Sequence, residues 1–111
     1  MCTGRLMIEV KESNVIEIIF TDTIMSALKA DRLNTEIKQA IASIGGTKDI
    51  ELDFRNVEAM DSAVIAALIR FVRDPALTDR KIVVKNLSTY LSQTFQLMRL
   101  SSIFTIKDSE E

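Results

Sequence analysis

Ile50-Glu51-Leu52-Asp53-Phe54, a short connection, and then Asp61-Ser62-Ala63-Val64-Ile65-Ala66-Ala67-Leu68 decide how this chain folds. Ile50, Leu52 and Phe54 alternate with Glu51 and Asp53, the period-two signature of a strand with one buried face. From Asp61 onward the period lengthens. Ile65, Leu68, Ile69 and Val72 fall on one helical stripe, which Asp74-Pro75 terminates. A strand therefore delivers Ser62 to the start of a helix. There the unpaired backbone N–H groups and the positive end of the macrodipole favour negative charge, so a phosphate on that hydroxyl would be locally stabilised.

The same reading extends in both directions. Leu6 to Val10 and Val15 to Phe20 are short β-branched runs separated by Glu12-Ser13-Asn14, which predicts a hairpin. Leu33, Ile37, Ile41 and Ile44 then recur at helical spacing with Ala40 on their face, and Gly45-Gly46 supplies the stop. Lys81-Ile82-Val83-Val84-Lys85 reads as a further strand. Leu91, Phe95 and Met98 mark one side of a third helix ending near Arg99, with Ser88 its expected cap ahead of Thr89 and Tyr90. Ile103-Phe104-Thr105-Ile106 is expected as a last short strand. The order β-β-α-β-α-β-α-β predicts an α/β fold with a mixed sheet, its later strands joined by right-handed crossovers.

Composition bounds the chemistry. The 111 residues are 47% hydrophobic and 27% charged, an ordinary globular balance for one domain over 1–111 with a polar tail at about 107–111. There is no histidine and Cys2 is the only cysteine, so no structural zinc site or histidine-based triad can be assembled from this chain alone, and no metal or cofactor is expected. A formal charge of -2 and a pI near 5.2 give no basic field for nucleic acid. The longest apolar run, Ala63 to Ile69, is far too short to span a bilayer, and the N-terminal residues lack a signal-peptide core, so a cytoplasmic protein without membrane insertion is expected.

Residues 50–106 resemble the STAS domain of anti-sigma factor antagonists. That family's pattern is a strand ending in Asp, a connection, then Asp-Ser-Ser/Thr-Gly opening a helix that carries a Leu. Leu52-Asp53-Phe54, Met60-Asp61-Ser62-Ala63-Val64 and Leu68 hold those places here. Ile82-Val83-Val84-Lys85-Asn86, Phe95-Gln96-Leu97-Met98 and Leu100-Ser101-Ser102-Ile103-Phe104 match the later pattern, and Leu28-Lys29-Ala30-Asp31 looks like the family's first-helix start. The resemblance implies the STAS fold and a partner switch without enzymatic activity of its own. In such proteins a partner anti-sigma factor, a serine kinase of histidine-kinase-like ATPase fold, phosphorylates the serine after the Asp, and a PP2C-type phosphatase reverses it. Only the unphosphorylated form binds. Carried over, Ser62 is the acceptor and Asp61, Ala63 and Val64 lie in the recognised segment. Ala63 stands where a second Ser or Thr is usual, and Val64 where Gly is usual. The β-branched Val64 is expected to obstruct close approach by a partner's backbone. Asp22 and Asp31 join the interface if the first connection lies nearby.

Plainer readings stand beside these. Asp61 and Ser62 are first of all helix caps, which does not exclude phosphorylation. Asp53 is expected to face solvent on its alternating strand. Met7, Met25, Met60 and Met98 read as core or rim filler. Arg70, Arg73, Lys81 and Lys85 read as a solvated face, with an anionic docking patch as the alternative. Asp61-Ser62 before an apolar helix is also similar to acyl carrier proteins, whose serine bears phosphopantetheine, although those are all-helical. A STAS accessory subunit of a transporter is a further alternative. A hydrolase using Ser62 ranks last, lacking both histidine and a Gly-x-Ser-x-Gly elbow.

Overall fold

Alternation in Ile16-Glu17-Ile18 and Ile50-Glu51-Leu52 puts one apolar and one charged face on each strand, and helices cover the apolar one. The computed structural model describes residues 8–77 and 80–107. Its elements run β1 (Ile8–Glu12), β2 (Ile16–Phe20), β3 (Ile24–Met25), α1 (Ala27–Ile44), β4 (Ile50–Asp53), β5 (Ala59–Met60), α2 (Ser62–Val72), β6 (Ile82–Lys85), α3 (Thr89–Leu97) and β7 (Thr105–Lys107). Single 3-10 turns occupy Pro75–Leu77 and Leu100–Ser102. Five strands form one sheet in the order β1-β2-β4-β6-β7. The β1–β2 hairpin is antiparallel, and every other neighbour is parallel through a helical crossover. The mixed α/β sheet and three helices expected from the sequence are present. An all-helical carrier protein is thereby set aside.

The core follows the predicted stripes. Leu33, Ile37 and Ile41 of α1 are buried, and Gly45 closes that helix at φ 78°, a conformation open to glycine without strain. Phe20 and Phe54, at the ends of neighbouring strands, stack at 4.8 Å between ring centroids. On α2 the buried set is shifted from the predicted stripe: Val64, Ala67 and Phe71 join Ile65 and Leu68, while Ile69 and Val72 are only half-buried. This helix packs against α1 and contributes all five of these residues to the hydrophobic core.

Four details depart from expectation. β1 spans Ile8–Glu12 rather than 6–10, and Leu6, Met7, Cys2 and the tail beyond Lys107 lie outside the described residues. Met98 is 47% exposed because the helix has already ended at Leu97, with Arg99 left-handed at φ 56°. The last strand is Thr105–Lys107, not 103–106: Phe104 is instead anchored in the core, its ring 5.6 Å from that of Phe95, before the chain pairs with β6. Finally, β3 and β5 form a separate two-stranded parallel sheet, Ile24 opposite Ala59 and Met25 opposite Met60. Strands of two residues carry no periodicity, so pairing alone reveals them. Their pairing brings the first connection beside the segment that leads to Ser62.

Candidate functional site

The site is built where β5 turns into α2. Thr23 O accepts from Glu58 N at 2.7 Å, and Met25 O accepts from Asp61 N at 3.0 Å, so the segment arriving at Asp61 is held by backbone bonds to its neighbour. Below it, the loop after β4 is fixed by Asp53. Its Oδ1 accepts from Arg55 N at 2.9 Å and from Asn86 Nδ2 at 3.0 Å, while Oδ2 takes Arg55 Nε at 3.0 Å. Asn56 Nδ2 donates to Phe20 O at 3.2 Å.

Asp53 is not solvent-facing as its strand position predicts; it is 0% exposed. The alternation is obeyed, since Asp53 does point to the charged side, but Arg55 and Asn86 close over it. Burial pushes its carboxyl up, and the bonds from Arg55 and Asn86 together with the Arg55 charge outweigh that and leave its pKa below the ordinary value. On the same charged face Lys85 lies between Glu17, at 2.7 Å, and Glu51, at 2.8 Å. Burial disfavours its charge, but the two carboxylates prevail and raise its pKa.

Asp61 occupies the N-cap of α2 with extended backbone, φ -74° and ψ 159°, yet its side chain makes no bond to that helix. Its carbonyl accepts from Val64 N at 2.9 Å and Ile65 N at 3.2 Å. The carboxylate is used elsewhere. Oδ2 accepts at 2.7 Å from Ala27 N, the first residue of α1, whose own N-cap Ser26 offers no side-chain bond. Asp61 thus caps the neighbouring helix and ties together the starts of α1 and α2. Replacing Asp61 by Ala is expected to lower stability by about 1 kcal/mol, within the range for lost helix caps. Faster amide hydrogen exchange in the first turn of α1, rather than of α2, checks the assignment.

Ser62 is exposed on the first turn of α2, followed by exposed Ala63. Its hydroxyl makes no hydrogen bond among the described residues, and the helix start presents unpaired N–H groups beside it. Val64 is 0% exposed. Its side chain points into the core, so the expected obstruction at this position does not arise, and a partner meets serine and alanine instead. Asp22 lies on the adjoining connection and is ion-paired with Lys29 at 2.7 Å. Asp31 is exposed on α1, and neither carboxylate bonds to Ser62 among the described residues. Sequence reasoning misses two exposed apolar side chains in these segments: Ile24, 61% exposed, and Leu28, 69% exposed. Ile24 pairs with Ala59, and Leu28 follows the residue that Asp61 holds. No periodicity signals the first, since its strand is only two residues long.

Residues 7–111 match the STAS domain family. The chain belongs to that family. Among solved structures, this STAS domain is similar to a candidate anti-sigma factor antagonist from Thermotoga maritima, with 14% identity over 93% of this chain and 86% of that one and a TM-score of 0.73. It is also similar to the anti-sigma factor antagonist SpoIIAA in its unphosphorylated form, with 16% identity over 96% of this chain and 90% of that one and a TM-score of 0.66. The phosphorylated form of the Bacillus cell fate determinant SpoIIAA gives 18% identity, 96% and 93% coverage, and the same TM-score. At these identities the likeness is one of fold. Among the described residues of the STAS domain, no helix is long and apolar enough to cross a membrane, and no group of three or more His, Cys, Asp or Glu side chains is placed to hold a metal ion.

Proposed function

We propose that this STAS domain is a phosphorylation-controlled binding switch, an anti-sigma factor antagonist without catalytic activity. Unphosphorylated, it binds a serine-kinase anti-sigma factor of histidine-kinase-like ATPase fold through Asp61, Ser62 and Ala63, with Ile24 and Leu28 as the apolar part of the contact and Asp22 and Asp31 as its rim. Phosphorylation of Ser62 releases the partner, a PP2C-type phosphatase restores binding, and the exchange takes place in the cytoplasm.

One observation supports this reading: a serine hydroxyl with no hydrogen bond among the described residues stands exposed at the start of α2, and the resemblance of Asp61-Ser62 to the family's motif gives that serine the acceptor's role. A phosphoserine adds roughly -1.5 to -2 charges. At a helix start the isolated fold tolerates that charge, whereas a packed interface beside Asp61 does not. Pull-down from the native cell with Ser62→Ala as bait and Ser62→Asp as control tests the proposal. Recovery of an ATPase that phosphorylates the wild-type chain, confirmed at Ser62 by mass spectrometry, is the expected result. Recovery of an ABC transporter would overturn it, as would phosphopantetheine on Ser62.

A further inference from the structure

The outward face of α2 does not end at the serine. Ser62, Ala63, Ala66, Arg70 and Arg73 are all exposed. At 100° per residue, Ser62, Ala66 and Arg73 fall within about 40° of one another and Arg70 within about 80°, so one face carries a hydroxyl, the small Ala66 and two arginines about 12 and 16 Å along. Beside the arginines, between α1 and α2, lies a cleft of about 460 Å³ lined by Asn34, Lys38, Ile69, Arg70, Arg73, Asp74 and Pro75.

The charge there is unbalanced. Lys38 pairs with Asp74, the one carboxylate among the described lining residues. Arg70 and Arg73 have no carboxylate partner among the described residues; Lys11, Arg80, Lys81, Arg99 and Lys107 also lack one, but Arg70 and Arg73 share a cleft whose described carboxylate is already paired with Lys38. Of two further hollows, one, with Lys81 and Lys107, contains Asp49 and Glu51 and is neutral as a set, and the other is lined by Lys38 and Arg80 with apolar Ile41, Ala42 and Leu77. Asn34 in the cleft wall donates its Nδ2 to Ala67 O at 3.3 Å and ties α1 to α2. An acidic peptide carries several carboxylates in line and can meet both guanidiniums at once.

We infer that the cleft formed by Lys38, Arg70 and Arg73 is a docking site for an acidic segment of the protein partner that reads Ser62. This rests on the proposed switch for the identity of the partner. The arginine end lies far enough from Ser62 to be beyond the Debye length of about 8 Å at physiological salt, so the anchor is insensitive to phosphorylation. It holds the partner near while the serine end decides whether the complex closes. Guanidiniums suit this role because they take carboxylates bidentately and are more weakly hydrated than ammonium groups.

The test uses the full chain, isotope-labelled, titrated with a capped hexaglutamate peptide at physiological salt. Saturable amide shifts confined to residues 34–38 and 69–74 are expected. Arg70→Gln/Arg73→Gln should weaken binding at least tenfold, and Arg99→Gln and Ser62→Asp should leave it unchanged. Shifts spread over all lysines and arginines, or unaltered binding by the double variant, would overturn the inference. With the ATPase captured by Ser62→Ala, the double variant should also bind at least tenfold more weakly and with a shallower salt dependence, and unchanged ATPase binding would overturn it. A normal effect of Ser62→Asp alongside an inert double variant removes the anchor alone. An inert Ser62→Asp alongside a weakened double variant removes the switch alone.

Discussion

Ser62→Asp is expected to weaken partner binding by between about 30-fold and several thousand-fold, while Ser62→Ala binds as the unphosphorylated wild type does. The range corresponds to about 2 to 5 kcal/mol for a charge left buried and unpaired at an interface. Two features of the structure keep this effect off the fold itself. Ser62 is exposed and its hydroxyl holds nothing together, and the helix start is where a carboxylate is locally stabilised. The variant should therefore melt within a few degrees of wild type. The neighbouring Asp61 carboxylate is already committed to Ala27 N and cannot move away without releasing the start of α1. A new negative charge next to it consequently meets a fixed negative neighbour once a partner excludes water. Titration calorimetry of the three proteins against the captured ATPase measures the ratio. Equal affinity of Ser62→Asp and Ser62→Ala would remove the switch.

The elements with long periodicity are legible in the order of residues alone. Leu33, Ile37 and Ile41 announce α1, Ile50 and Leu52 announce β4, and Ser88 caps α3 as expected, with its Oγ accepting from Leu91 N at 3.1 Å. What stays hidden is set by tertiary pairing. Nothing in Ile24-Met25 or Ala59-Met60 indicates that these two-residue runs meet, yet their meeting places Asp61 within reach of Ala27. Asp61 itself looks like the cap of its own helix because capping preferences are local. The geometry of the β3–β5 pair diverts its carboxylate to the helix next door. Val64 misleads for a related reason: a departure from a family's glycine says which residue is present, while burial decides which way it points. The candidate serine is legible because hydroxyl, helix start and strand all lie within one contiguous stretch. The apolar flank of Ile24 and Leu28 and the cleft between α1 and α2 are not, since each is assembled from segments far apart in sequence.

The residue whose burial the strand pattern conceals carries the second large effect. Asp53→Ala is expected to lower unfolding free energy at pH 7 by about 2 to 3 kcal/mol, since it removes a carboxylate hydrogen-bonded to charged and neutral donors and leaves the Asn86 amide and Arg55 N–H without their acceptor. The exposed half of Arg55 keeps the loss from being larger, because water takes up its guanidinium. The pH dependence has a definite sign. Asp53 titrates below its ordinary value of 3.8 in the folded chain, so its stabilisation is complete above that pH and is lost as pH falls from 3.8 through the lower folded value. Urea unfolding should show wild type well above Asp53→Ala at pH 7, with the gap narrowing as the solution is acidified below 3.8. A gap of the same size on both sides of that window would contradict the role given to the carboxylate. The consequence reaches the switch as well. Asp53 fixes Arg55 at the head of the connection that carries the chain to Asp61, so the variant should also raise amide exchange across residues 55–61. Ser62 would then be presented on a looser support, and a partner that needs this surface ordered would bind Asp53→Ala more weakly even where the domain remains folded.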